Sequence, residues 1–461
     1  MRIKTTRTAL LGMGAAGVVV MAAMPGLAAG SLEQRRAEMQ QEIQKLEARL
    51  SALERKRASN RNRRRVTAAA AVEAGSKPRS WKLPGTNTSM QIGGFAQLSL
   101  IYDFNHRSGD AVSSNGQSGS SFPSRGSARA NQQQHFRLHA RRSRLFIKTW
   151  TPTDYGMLHT RIETDFMGAG GNEVVSNSDT MRIRHAWASL GPVMAGQNYS
   201  TFRFTKFELS TFQDRGMAAN GNGRQGQIRY THKFGGGTAL LLSVENPETG
   251  GAVTSATYAA PVVVSAGGAP DEMPDVVVAL QHVWSSGRVK FGAVFGRAGI
   301  DDGVASNDKV FTWAVQGAFR YKFNNKRTEF AVLGFYGHGM AKYWRGPLNQ
   351  AVAVTGTNVG NVSIKPIRHY GGYAWISHKW TSTVSTGIGF GRVDTDVEQH
   401  IAKVNIPART LDVHWSVLAN IKWRPVRDVL LGIEYHWLRA NFHNANESVI
   451  HRLQFSARYY F

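Results

Sequence analysis

The stretch that most constrains this chain is its last, His451 to Phe461. Taken in twos, Leu453, Phe455, Ala457, Tyr459 and Phe461 share one face, while Arg452, Gln454, Ser456, Arg458 and Tyr460 share the other. Side chains of a β-strand point alternately to its two faces, so one face here is apolar and the other polar and cationic. A soluble edge strand ending so apolar would invite edge-to-edge aggregation. Lipid against the apolar face, aromatics at the interface and water against the polar face fit the pattern better, which is the arrangement of a transmembrane β-barrel.

The other end agrees. Arg2, Lys4 and Arg7 precede an apolar run from Ala9 to Met24, then Pro25 and the small residues Leu27-Ala28-Ala29-Gly30. This is the order of a secretory signal peptide over 1–29, cleaved after Ala28 or Ala29. The run of about 16 residues is short for a spanning helix, and no other run approaches one, so any membrane part is a barrel. Cysteine is absent, so disulfides and thiolate metal sites are excluded. The formal charge is +25. Residues 30–89 hold 14 Lys/Arg against 6 Glu, and the region from Met90 onward keeps a surplus of about +14. With an export signal and strand patterning, that surplus points away from nucleic acid. It points to an anion-favouring pore, to a surface gripping lipopolysaccharide phosphates, or to both.

Leu32, Met39, Leu46 and Leu53 recur every seven residues, and Ile43 and Leu50 fall four after Met39 and Leu46. Met39, Leu46 and Leu53 thus occupy d positions and Ile43 and Leu50 a positions of a coiled coil over 30–58, with Arg36 and Arg57 ending the seam. A parallel homotrimer clamped at its periplasmic end is the expected assembly, although these a and d residues do not settle trimer over dimer; the alternative is a single amphipathic helix lying on the barrel. Arg55 to Arg65 is strongly basic, and 59–89 reads as a basic linker: a solvated charge run, or a contact with anionic peptidoglycan.

From Met90 to Phe461 about sixteen alternating segments follow, giving an all-β, 16-stranded antiparallel transmembrane barrel over 90–461. Tight-turn residues mark one end at Thr151-Pro152-Thr153, Gly191-Pro192, Gly235-Gly236-Gly237, Ser285-Ser286-Gly287, Asn324-Asn325, Trp380-Thr381 and Arg424-Pro425-Val426. Long stretches alternate with them at 105–134, 168–179, 201–223, 247–274, 300–308, 339–367 and 395–407, with a brief one near 443–447. In Lys309–Phe323 the set Phe311, Trp313, Val315, Phe319, Tyr321 and Phe323 faces lipid, and Thr312, Gln316, Arg320 and Lys322 face inward. Near His135–Trp150 the inward cations change parity between Arg141 and Arg142, which calls for a bulge at Ala140–Arg142. A barrel this wide encloses water rather than a packed core.

Inward cations then concentrate in one region. Arg142, Arg144, Lys148, Arg161, Arg182, Arg184 and Arg229 lie on strands beside the stretch 201–223, which carries Arg203 and Lys206 with Glu208, Asp214 and Arg215. Glu163 and Asp165 supply counter-charge. Guanidinium forks suit planar carboxylates, so the cluster reads as a filter for small anions, carboxylates especially. The alternative is a set of wall-stabilising ion pairs with Glu163, Asp165 and Glu208.

Several short motifs carry a resemblance. Ser143-Arg144-Leu145-Phe146-Ile147-Lys148-Thr149 runs into Thr151-Pro152-Thr153-Asp154-Tyr155-Gly156, then Glu163-Thr164-Asp165-Phe166 and Arg182-Ile183-Arg184-His185-Ala186-Trp187 follow. Gly196-Gln197-Asn198-Tyr199-Ser200-Thr201-Phe202 and Gln225-Gly226-Gln227-Ile228-Arg229-Tyr230 complete the set. Together they resemble the DcaP-like family of bacterial outer-membrane porins. The resemblance implies an N-terminal coiled coil on a trimeric sixteen-stranded channel for dicarboxylates and related anions, with 201–223 as the loop that folds inward.

Chemistry-bearing motifs compete with that reading. Gly221-Asn222-Gly223-Arg224-Gln225-Gly226 matches GxGxxG but precedes a strand, so it fails as a dinucleotide fingerprint. Asp394-Thr395-Asp396-Val397-Glu398 offers oxygen ligands for calcium, or a solvated loop. Asp412, His414, Glu434 and His436 face inward on adjacent strands, and a turn centred near Pro425 sets His414 opposite His436 and Ser416 opposite Glu434. Such a group is a candidate acid–base or metal site, which would make the chain a barrel hydrolase. A third reading is a closed barrel tying the outer membrane to the cell wall. The expectation is passive diffusion, with no catalytic residue, metal or cofactor.

Overall fold

The computed structural model describes residues 29–70, 73–105, 123, 125–128, 130–132, 134–168, 171–172, 178–212, 216–221, 223–247, 251–255, 273–301, 307–346, 350–356 and 362–461. The chain divides into two units between Glu73 and Ala74. The expected signal peptide lies outside the described residues apart from Ala29, which opens the helix.

The first unit is one α-helix, α1, Ala29–Ala70. It runs straight through the basic stretch that was expected to be linker, because nothing between Gly30 and Ala70 breaks a helix and Arg and Ala favour one. The seam residues Met39, Ile43, Leu46, Leu50 and Leu53 are all exposed on the single chain.

The second unit is a closed antiparallel barrel of sixteen strands. They are β1 Ser89–Asp103, β2 in two pieces (His135–His139 and Arg144–Thr153), β3 Gly156–Asp165, β4 Arg182–Leu190, β5 Val193–Tyr199, β6 Arg224–Gly235, β7 Thr238–Glu245 and β8 Asp275–Trp284. Then come β9 Gly287–Asp301, β10 Asn307–Phe323, β11 Thr328–His338, β12 Arg368–Lys379, β13 Val384–Asp396, β14 Leu411–Trp423, β15 Val429–Phe442 and β16 Ser448–Tyr460. Each pairs with its sequence neighbours, and β1 pairs with β16 to close the ring. The sheet begins earlier than Met90, since Trp81–Lys82 pairs with Ser89–Met90.

The break in β2 falls at 140–143, where a bulge was expected. Before it Phe136 and Leu138 point outward, and after it Leu145 and Ile147 do. The interruption therefore lets both sets of cations, on opposite parities, face the interior. Arg137 then reaches Asp103 at 2.7 Å, and Arg452 donates to the same carboxylate through Nε at 2.6 Å and Nη2 at 3.0 Å. Asp103 and Arg452 are fully buried, and this cluster joins β1, β2 and β16 at the closure. Phe461 seals the opposite part of the same seam by exchanging backbone hydrogen bonds with Gly94.

Seven short turns gather at one end and eight longer connections at the other. The outer face is apolar as expected: Phe311, Val315, Ile421, Ile433, Phe455 and Tyr459 are exposed, whereas Thr312, Gln316, Asn420, Gln454 and Ser456 are buried inside. At the long-loop end Ala252–Thr254, Val352–Gly356 and Val362–Pro366 form a small separate sheet.

One expectation fails. The interior is not wholly aqueous, because the connection between β5 and β6 brings its own core inward. Phe202, Phe204, Phe207, Leu209 and Met217 form one buried cluster with Leu333, Phe335, Tyr373, Trp375 and Leu418 of the wall. Part of the lumen is as dry as a soluble protein's core.

Candidate functional site

The inward connection crosses the lumen and is tied to the wall along its length. Lys290 of β9 donates to the Thr201 carbonyl at 2.9 Å, and Gln316 of β10 to the Phe202 carbonyl. Trp375 Nε1 of β12 donates to the Phe207 carbonyl at 2.6 Å, and Lys422 Nζ of β14 to the Ser210 carbonyl at 2.8 Å. Further on, the Phe212 amide donates to Glu434 Oε2 of β15 at 3.0 Å, and the Ala218 amide to Ser416 Oγ at 2.7 Å. Backbone carbonyls and amides that would otherwise be orphaned in the lumen are thereby satisfied. The Ala219 amide then donates to the Arg345 carbonyl, and the Arg345 amide to the Asn220 carbonyl, both at 3.1 Å. Arg345 lies in the second inward connection, 339–367, whose Trp344 stacks on Phe335 with ring centroids 3.9 Å apart.

The wall is shaped to receive this loop. A Cβ at Gly391 would collide with the Ala218 carbonyl, one at Gly389 with Met217, and one at Gly432 with the Phe212 ring. Gly387, Gly389 and Gly391 alternate along β13, so one strip of its inner face carries no side chains at all. That alternation was readable in Thr386-Gly387-Ile388-Gly389-Phe390-Gly391 as a place where another backbone approaches closely.

Against the opposite wall the loop leaves a cavity of about 400 Å³. Seven arginines line it, Arg142, Arg144, Arg182, Arg184, Arg203, Arg224 and Arg345, with Tyr199, Thr205, Ser210, Thr211 and a single carboxylate, Glu208. Behind the arginines stand Glu163 and Asp165, both buried. Arg184 spans them, with Nε 2.8 Å from Glu163 Oε1 and Nη1 2.6 Å from Asp165 Oδ2. Arg182 Nε lies 2.7 Å from Asp165 Oδ1, and Arg144 Nη1 a looser 3.6 Å from Glu163. Arg203 forms a two-pronged pair with Glu208, both contacts at 2.9 Å, and sits 4.3 Å over the Tyr199 ring. Seven cations against three carboxylates leave an excess of four positive charges around this one space.

The structure therefore sorts the expected cations into three groups. Arg142, Arg144, Arg182, Arg184 and Arg203 meet in the main cavity. Lys206 and Arg229 line a smaller one of about 230 Å³ with Arg288 and Lys290. Lys148 and Arg161 border neither; both lie over Phe146, and Arg161 pairs with Glu163. Asp214 and Arg215 lie outside the described residues. The sequence reading missed Arg224 and Arg345. Arg224 shares the parity of lipid-facing Ile228 and Tyr230 and turns inward only because it stands at the strand's rim, and Arg345 sits in a loop without periodicity.

The hydrolase constellation does not assemble. The turn between β14 and β15 centres on Arg427 rather than Pro425, so Leu418 faces His436 and Asn420 faces Glu434, while His414 faces Ala440. Glu434 is taken up by the loop: it accepts from the Phe212 amide and from Asn420 Nδ2 at 3.0 Å, and lies 2.8 Å from His436 Nε2. The acidic run, expected in a loop, instead ends β13, and its aspartates are likewise engaged, Asp394 by Arg392 and Asp396 by Arg368. Among the described residues no group of three or more His, Asp or Glu is placed to hold a metal ion.

The family described as the porin subfamily matches residues 81–457. Among solved structures, the outer membrane channel DcaP of Acinetobacter baumannii superposes with a TM-score of 0.66 at 17% identity, over 84% of this chain and 100% of that one. The anion-selective porin from Comamonas acidovorans superposes with a TM-score of 0.52 at 11% identity, over 81% of this chain and 100% of that one. No curated relative matches.

Proposed function

The chain belongs to the porin subfamily of the bacterial outer membrane, and from that premise we propose that it is a passive channel selecting small anions, carboxylates above all. The observation that carries this reading is the arginine-rich cavity beside a loop pinned across the lumen. An anion entering it meets fixed positive charge at low desolvation cost, since polar hydroxyls and the Tyr199 phenol share the lining. Several forked guanidiniums around one space suit a solute with two planar carboxylates better than chloride. Diffusion of this kind has no chemical step and calls for neither metal nor cofactor. The uncovered seam of α1 fits assembly as a homotrimer, and the basic stretch that follows it fits contact with peptidoglycan or other anionic periplasmic partners, with lipopolysaccharide against the outer surface.

Planar-bilayer reversal potentials in a salt gradient test the reading. A unit charge about 7 Å from a permeating ion in water contributes roughly 0.6 kcal/mol, near threefold in ion occupancy. Replacing Arg144 and Arg224 by Gln should therefore shift selectivity several-fold toward cations. An unchanged reversal potential in well-folded protein would remove the filter from this cavity.

A further inference from the structure

A second cavity of about 350 Å³ adjoins the first, and the two share Ser210 and Thr211 of the loop. It opens beneath the loop toward the short-turn end, where the Thr381-Ser382-Thr383 turn and Arg424 form its rim. Four cations line it, Lys379, Lys422, Arg424 and Arg458, and no carboxylate does. Their partners are neutral oxygens. Lys422 donates to the Ser210 carbonyl at 2.8 Å, Arg424 to the Arg427 carbonyl at 2.9 Å, and Arg458 to Gln97 Oε1 at 2.6 and 2.9 Å. Among the described residues none of the four has a carboxylate within ion-pair distance. The first cavity has one carboxylate in its lining and two paired with its arginines from behind. This one has none in its lining and none paired with its cations, with Glu434 and Glu329 acting on Lys422, and Asp428 on Arg424, only from farther off.

Four like charges, three of them held by neutral groups, repel one another in the empty state, and that repulsion is relieved by a counter-ion. Each negative charge on one ion gains from all four cations, so the advantage of a dianion over chloride grows with its charge. We propose that this cavity is a second anion-binding site, on the periplasmic side of the loop, for small anions carrying two or more negative charges, either dicarboxylates or phosphates. It rests on the barrel conducting anions. Two sites in sequence let an incoming ion at the upper one expel the ion at the lower one, which reconciles selective binding with release.

The test is block of single-channel chloride current in planar bilayers by succinate and by inorganic phosphate, each added separately to the side facing the short turns. Both should block wild-type channels at concentrations at least tenfold lower than acetate does. In Lys379→Gln/Arg424→Gln the half-blocking concentration should rise about tenfold, and in Lys379→Arg it should stay near wild type. Block by succinate but not phosphate would restrict the site to dicarboxylates, and the reverse to phosphates. Equal block by acetate, or unchanged block in the double variant, would overturn the site while leaving anion conduction intact. A barrel without chloride current would overturn the channel reading itself. If the double variant gives no folded barrel, Lys379→Glu alone decides, because Lys379 is exposed and its side chain makes no hydrogen bond among the described residues.

Discussion

Among the arginines lining the main cavity, Arg184 is the most buried. Its guanidinium is buried and committed to Glu163, Asp165 and the Tyr199 hydroxyl. Its task is to keep two carboxylates charged behind the lining without letting them repel anions in front of it. Removing one partner of a buried pair leaves the other uncompensated, at about 3–5 kcal/mol. Arg184→Met should therefore lower the unfolding midpoint of the barrel in urea far more than Arg144→Met, whose contact with Glu163 is a loose one. The wall pairs of the sequence reading are present at Arg182, Arg184 and Arg203, and the proposed filter rests on the other arginines. Which arginine does which was hidden in the sequence, because parity says that a side chain points inward and nothing about what it meets there. Parity did suffice for Arg142, Arg144, Arg182 and Arg184. It failed for Arg224, at a strand rim, and for Arg345, in a loop.

At the scale of elements, the alternation of β10 and β16 made the strands legible, and the parity change in one segment located the break in β2 from residue order alone. Register was less accessible. A turn displaced by two residues moved every pairing between β14 and β15 and dissolved a catalytic group that depended on it. The seat of the inward loop follows from spacing in β13, where three alternate glycines clear a strip of wall. Gly391→Val should push the Ala218 segment off that strip, cost about 1–3 kcal/mol by overpacking, and raise single-channel conductance. A conductance at or below wild type would show that the loop does not limit flow. At the short-turn end, Arg79 Nη2 reaches Asp428 Oδ1 at 2.8 Å and fastens the segment before β1 to the turn before β15. That hydrogen bond holds the Asp428 carboxyl below its ordinary range. A depressed acid stabilises fully above its unfolded pKa, near 4, and the contribution fades as pH falls through the lower folded value. Asp428→Asn should accordingly narrow the stability difference between pH 6 and pH 3, read by urea unfolding at each pH.

For the whole molecule, the two units carry different tasks. The barrel encloses its own core and closes its own sheet, whereas α1 exposes every apolar residue of its seam and has no core of its own. An isolated helix with such a seam gains most of its stability from partners. If the proposed trimer is held by this seam, Ile43→Lys with Leu50→Lys should shift the detergent-solubilised protein to monomer by light scattering, with the barrel still folded by its heat-dependent gel mobility. A trimer that survives both changes would place the assembly contacts on the barrel alone.

The ion cluster at the seam has a consequence for how such a molecule is made. Until the first and last strands meet, Asp103 has only Arg137 of the neighbouring strand beside it, Arg452 is apart from that carboxylate, and an ion without its partner resists being carried into a dry wall by several kcal/mol. The unsealed edges consequently stay hydrated, and desolvation waits for contact between the correct two ends. An ion cluster buried at this seam should therefore disfavour zipping of the last strand onto any strand but the first.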